Sequence, residues 1–182
     1  PLSFELSVGR ERLIVNLGGA GLLPEEWAVA QRATAAHSTL AIDDTNATRL
    51  EDGAPPPTIE VKREEADGQT WFEASHDGYA ERLGATHRRR LYLSADGEDL
   101  RGEDIVTGGT GKPYQLRFHL HPRVQVSLAQ NAAAVLLRLP SGSGFRLRVS
   151  GGRLDLGEAV YLGRPGEMKR TQHVLVTGIL DG

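Results

Sequence analysis

The chain contains no cysteine, which excludes a disulfide framework, a thiolate nucleophile and any thiolate metal site. It has no apolar run of the length that crosses a bilayer as a helix, and no signal-peptide pattern is visible. Neither sign of charge dominates: 21 basic and 24 acidic residues give a formal net charge of −3. That balance argues against the cationic surface of a general nucleic-acid binder. Bulky side chains are scarce, with one Met, two Trp, four Tyr and four Phe. Glycine and proline are plentiful, 22 and 9 respectively, which suits many tight turns between short strands. The 182 residues fit one domain that buries roughly 70% of its extended surface.

Nearly every periodic segment has a period of two. Leu2–Val8, Thr58–Lys62, Thr70–Ala74, Arg89–Leu93, Val124–Leu128 and Phe145–Val149 all alternate. Gln115–His121 sets Leu116, Phe118 and Leu120 on one face and polar groups on the other. Shorter apolar runs follow at Leu13–Leu17, Ala134–Leu139, Ala159–Leu162 and His173–Thr177. About a dozen short strands with no helical crossover between them predict an all-β antiparallel β-sandwich. One short helix is expected near residues 24–34, with Pro24 in its first turn and Glu25 and Glu26 facing the positive end of its dipole. Loops are expected over Asp43–Pro57 and Gly102–Pro113. The Gly108–Lys112 cluster lacks phosphate-loop spacing and reads as a turn.

Histidines mark the candidate chemistry. His37 sits at the predicted helix-to-strand transition, followed by Ser38 and Thr39. It reads as a ligand or proton carrier, or as a hydrogen-bonded histidine at a strand entrance. His119 and His121 project from one strand face, the spacing of a two-histidine chelate. Arg117 shares that face and would repel a dication, so a solvated polar face is the competing reading. His76-Asp77-Gly78-Tyr79, then Arg82 and His87-Arg88-Arg89-Arg90, could together bind an acidic sugar through guanidinium forks. The alternative is a turn followed by a solvated strand. Alternation places Arg89 on the apolar side, where it must find a partner or lie at the sheet margin.

Taken in order, these segments resemble the heparinase II/III family in its C-terminal β-sandwich. The landmarks are Leu2–Ser7, Leu13–Asn16, Ala36–Leu40, His76–Tyr79, His87–Leu91, Arg117–Pro122 and Thr171-Gln172, covering essentially the whole chain. The resemblance implies a single domain over 1–182, the C-terminal part of a bacterial polysaccharide lyase whose α-helical toroid comes first. It implies an acidic, uronic-acid-containing substrate such as a glycosaminoglycan, bound between toroid and sandwich and cleaved by β-elimination. No nucleic acid or membrane partner is implied, and the expected location is the periplasm or cell envelope. The C5 proton is weakly acidic until the adjacent carboxylate is neutralised, so donors must accompany the base.

In the family, proton-transfer groups come from the toroid and from a histidine-rich turn that would fall upstream of Pro1. No catalytic residue is therefore assigned here, and the fragment alone is expected to be inactive. The family's metal, usually zinc, would involve His37. A family Asp maps to Asn16, a neutral amide that is a poor zinc ligand, and Asn16 and His37 could instead hydrogen-bond each other. His76, Tyr79 and Arg89 become candidates for facing substrate or the companion domain. The alternatives are a non-catalytic carbohydrate-binding or domain-packing sandwich, or a member that has lost lyase activity.

Overall fold

A computed structural model describes residues 1–19, 21, 24–51 and 53–181. Its strands are β1 (Leu6–Val8), β2 (Glu11–Val15), β3 (Leu40–Ile42), β4 (Ile59–Ala66), β5 (Gln69–His76), β6 (Ala85–Leu93) and β7 (Leu100–Gly108). They continue with β8 (Pro113–Leu120), β9 (Gln125–Leu128), β10 (Val135–Arg138), β11 (Gly144–Leu147), β12 (Arg153–Arg164) and β13 (Glu167–Ile179). All pairings between these strands are antiparallel, in three sheets. The largest runs β1-β2-β8-β13-β12, with β3 also on β8; the others run β11-β10-β9 and β4-β5-β6-β7.

The period-two faces explain the layers. Leu154, Val174, Val176 and Leu120 point from the large sheet into a core shared with Val135, Leu137 and Leu139, while the alternate residues face outward. A second cluster of Leu40, Ile42, Ala47, Tyr79 and Ala85 joins β3 to the four-stranded sheet. After β2 the chain is pinned to β12: Leu162 N–H donates to Leu17 O and Gly19 N–H to Leu162 O. Gly18 is required there, because its φ is +93° and a Cβ would lie 2.6 Å from the Leu162 carbonyl oxygen.

Several boundaries differ from expectation. The helix α1 spans Glu25–Ala30 and a separate 3-10 turn covers Thr34–Ala36. The Thr34 N–H donates to Asn46 Oδ1 at 2.8 Å, so this backbone group leaves the helical ladder. A second helix, α2 (Ala80–Leu83), ends at Gly84 in the left-handed region. The expected Gly102–Pro113 loop shrinks to residues 109–112, because β7 runs through Gly108. The first strand is confined to Leu6–Val8.

Candidate functional site

The most densely bonded point lies where two strands share one edge of β8. β2 pairs Val15 with His119, and β3 pairs Leu40 with Leu116. The residues between β2 and β3 must satisfy the backbone groups left at the junction. Ser38, fully buried, does so from four directions. Its Oγ donates to Val15 O at 2.7 Å and accepts from His119 N–H at 2.8 Å. Its N–H donates to Asn16 Oδ1 at 2.9 Å, and its carbonyl accepts from Arg89 Nη1 at 2.9 Å.

Asn16 is thereby a structural pin. Its Nδ2 also donates to Glu5 Oε1 at 3.3 Å. It does not hydrogen-bond His37, whose Nε2 lies 2.9 Å from Gln31 O. A carbonyl only accepts, so Nε2 carries the proton and Nδ1 the lone pair. That Nδ1 is buried without a hydrogen-bond partner among the described residues, and burial holds the ring's pKa below its usual value. His37 precedes β3 rather than lying within it.

His119 follows the same logic. Its Nε2 bonds Ala35 O at 2.9 Å, and burial pushes its pKa down to about 4, with Arg117 adding to the shift. Of the two readings of this pair, the hydrogen-bonded polar face is the one seen: His121 Nδ1 accepts from Arg123 N–H at 3.4 Å. β8 ends at Leu120, and His121 sits edge-on to Tyr161 with centroids 5.1 Å apart.

Beneath Ser38 runs a buried polar chain. Gly78 N–H donates to His76 Nδ1 at 3.1 Å, which leaves the His76 proton on Nε2. That nitrogen lies 3.3 Å from His87 Nδ1, and His87 Nε2 lies 2.7 Å from Asp104 Oδ1. Both rings are therefore Nε2–H tautomers donating in one direction. Arg89 closes the chain: Nε and Nη2 donate to the two Asp104 oxygens at 2.8 and 3.0 Å, and Nη1 also reaches Leu2 O at 2.8 Å. Burial pushes the Asp104 pKa up, but the bonds from His87 and Arg89 and the guanidinium charge outweigh it, and the net shift is downward. Burial, then the His87 ring, lowers His76 to about 3.

His76, Tyr79 and Arg89 are thus interior, with exposures of 3%, 0% and 2%, and do not present their polar atoms outward as substrate ligands would. The Tyr79 hydroxyl donates to Leu40 O at 2.9 Å, and burial raises its pKa. The physical reason is register: β6 alternates, and its His87–Arg89 face turns onto the β3 cluster rather than outward. Arg89 met the requirement for a partner through Asp104, its cross-strand neighbour. Asp104 was missed because its segment reads as loop. Ser38 was visible only as a small residue beside His37.

The described residues do not by themselves fit a zinc site. No group of three or more His, Asp or Glu among them converges to hold an ion. Asn16 Oδ1 already accepts a hydrogen bond, and one His37 nitrogen falls short of the three or four ligands zinc takes from protein.

Comparison with known proteins places this geometry in context. The family model described as "Heparinase II/III-like, C-terminal" matches residues 1–181. The chain is 33% identical over 200 residues to FtsZ-localized protein C of Caulobacter vibrioides, covering 96% of this chain and 34% of that protein. It thus spans about a third of that relative's length. Among solved structures it is similar to the heparinase III BT4657 gene product, at TM-score 0.79 and 14% identity, covering 99% of this chain and 28% of that one. Heparan sulfate lyase HepC from Pedobacter heparinus gives TM-score 0.80 and 13% identity, with 99% and 28% covered. At such identities the likeness is one of fold.

Proposed function

The chain belongs to the heparinase II/III-like C-terminal family, and from that membership we propose that it is the β-sandwich part of a lyase that cleaves a uronic-acid-containing polysaccharide by β-elimination. The observation that carries the reading is the Ser38 junction. Four hydrogen bonds on one buried residue hold the segment that presents His37, and a satisfied buried polar network rigidifies what it holds.

The division of labour follows from the commitments already described. Tyr79 and five of the six histidines each have a polar atom bonded within the fold. The group that removes the C5 proton is then supplied by a companion α-helical domain. The periplasm or cell envelope is the location that goes with such a substrate. The test compares this chain alone with the chain joined to its helical domain on unsulfated uronate polymers, following unsaturated product in the ultraviolet. The joined protein is expected to generate product and the chain alone none; cleavage by the isolated chain defeats the division.

A second reading has its own support. The relative at 33% identity is named for co-localising with FtsZ rather than for an activity. A non-catalytic sandwich that packs against a partner or binds carbohydrate without cleaving it would fit the buried polar chain equally well. Sedimentation with FtsZ filaments distinguishes the two: co-pelleting without product formation favours this reading.

A further inference from the structure

The outward face of the four-stranded sheet carries an aromatic pair that the readings above do not use. Trp71 of β5 lies opposite Glu64 of β4 and Tyr92 of β6, and Tyr92 lies opposite Arg101 of β7. Cross-strand partners share a face, so these four side chains form one row across the whole sheet. The alternate residues of β5 and β6, among them His76 and Arg89, point the other way and are buried. The Trp71 and Tyr92 ring centroids lie 5.4 Å apart, with the planes tilted by 47°. The Tyr92 hydroxyl donates to Gln69 Oε1 at 3.2 Å, and the Arg101 guanidinium carbon sits 5.7 Å from the Tyr92 centroid. Tyr92 is thereby held in place, while Trp71 is 39% exposed.

The next row, two residues along each strand, is Lys62, Glu73, Arg90 and Glu103. Both rows line one hollow of about 650 Å³, within the range of small-ligand sites, about 300–1,000 Å³. Its charges cancel. Lys62 pairs with Glu64, and Arg90 with both Glu73 and Glu103, while Arg101 pairs with Asp99 beside the hollow. Such a rim exerts little net pull on an anion. It also differs from the core of a protein interface, where charged residues are depleted. What it offers is donors and acceptors mixed around an apolar floor. Sugar hydroxyls both donate and accept. The C–H groups on a pyranose face carry the partial positive charge that the negative face of an aromatic ring attracts.

We propose that Trp71 and Tyr92 form a platform on the outward face of the four-stranded sheet that binds an uncharged pyranose of a glycan chain. The sugar ring stacks on Trp71 beside Tyr92, and its hydroxyls bond the Lys62, Glu73 and Arg90 side chains. The proposal rests on the polysaccharide reading only for the ligand's being a glycan. The platform takes uncharged residues of the polymer and needs no cleavage.

The test titrates the chain with cellotetraose, which is neutral, and with tetragalacturonate, which is acidic at every residue. NMR follows the indole N–H signals of the two tryptophans. Cellotetraose is expected to shift the Trp71 signal and to leave that of Trp27 on α1, and tetragalacturonate should bind more weakly. Trp71→Ala should weaken cellotetraose binding about tenfold, followed on the Tyr92 ring signals. Should that variant not fold, Trp71→Phe keeps a ring at the position and should weaken binding about threefold. Equal affinity in the wild type and the tryptophan variant overturns the platform, as does a shift of Trp27 alone or tighter binding of tetragalacturonate. So does loss of the Trp71 shift when the chain is joined to its helical domain, since that domain would then cover the face. Cleavage of uronate polymer by the joined protein, with no Trp71 shift by cellotetraose, overturns the platform and keeps the lyase reading. A Trp71 shift without cleavage does the reverse.

Discussion

The Ser38 carbonyl accepts a hydrogen bond from Arg89 Nη1 at 2.9 Å, and this contact joins two sheets that share no strand. Arg89 belongs to the four-stranded sheet and Ser38 to the edge of the six-stranded one. Because the same Nη1 also reaches Leu2 O, one guanidinium fixes the N-terminal segment and the His37 segment relative to each other.

Arg89 and Asp104 should therefore behave as a coupled pair. Removing either alone leaves an uncompensated buried charge, and about 3–5 kcal/mol of stability should be lost. Replacing both by apolar residues of similar volume should cost less than the two single changes summed. Urea unfolding of Arg89→Met, Asp104→Leu and the double variant measures this; strict additivity would show that the two act independently.

Ser38→Ala removes the hydroxyl between Val15 O and His119 N–H. Two buried backbone groups then lose partners, and the expected loss is about 2–3 kcal/mol. Amide exchange should report it locally: protection at His119 should fall more than at Val174 in the core, and uniform loss would show general unfolding instead.

Acid should destabilise the fold. Burial holds His76 at about 3 and His119 and His173 at about 4 in the native state, against an ordinary 6.5. Between pH 6.5 and about 4 the unfolded chain binds protons that the folded chain does not, so stability falls as pH falls. Each group contributes at most ~1.4 kcal/mol per pH unit, less for the partly solvated His173. Unfolding free energy measured from pH 7 to 5 should slope accordingly, and His119→Gln should flatten the slope by about one proton. A flat profile in the wild type would remove the basis for these shifts.

In the chain alone, Asn16→Asp should not create a zinc site. The new carboxylate would keep the Ser38 N–H but lose the Nδ2–H that now donates to Glu5 at 3.3 Å. Like charges would then face each other, and about 0.5–1 kcal/mol should be lost at pH 7 and recovered as the carboxylates protonate. Thermal melts at pH 7 and pH 4, compared with the wild type at each pH, check the sign. Zinc binding raised by this one change in the chain alone would show a ligand set that the described residues lack.

The period-two alternation, the absence of crossover helices and the glycine-rich turns determined the all-β antiparallel sandwich, because strand faces are written locally in the spacing of apolar residues. Local order also marked His37 and the need of Arg89 for a partner. What only the tertiary structure decided was where the polar groups go. Asp104 reads as loop until its register against Arg89 is known, and Asn16 looks like a vacant ligand position until Ser38 is seen to occupy it. His76 and Tyr79 look like surface chemistry until His76 is paired with His87 on the inward face of the four-stranded sheet and Tyr79 packs against β3. Hydrogen-bond partners and burial are set by contacts between residues far apart in the chain, and no local pattern encodes them.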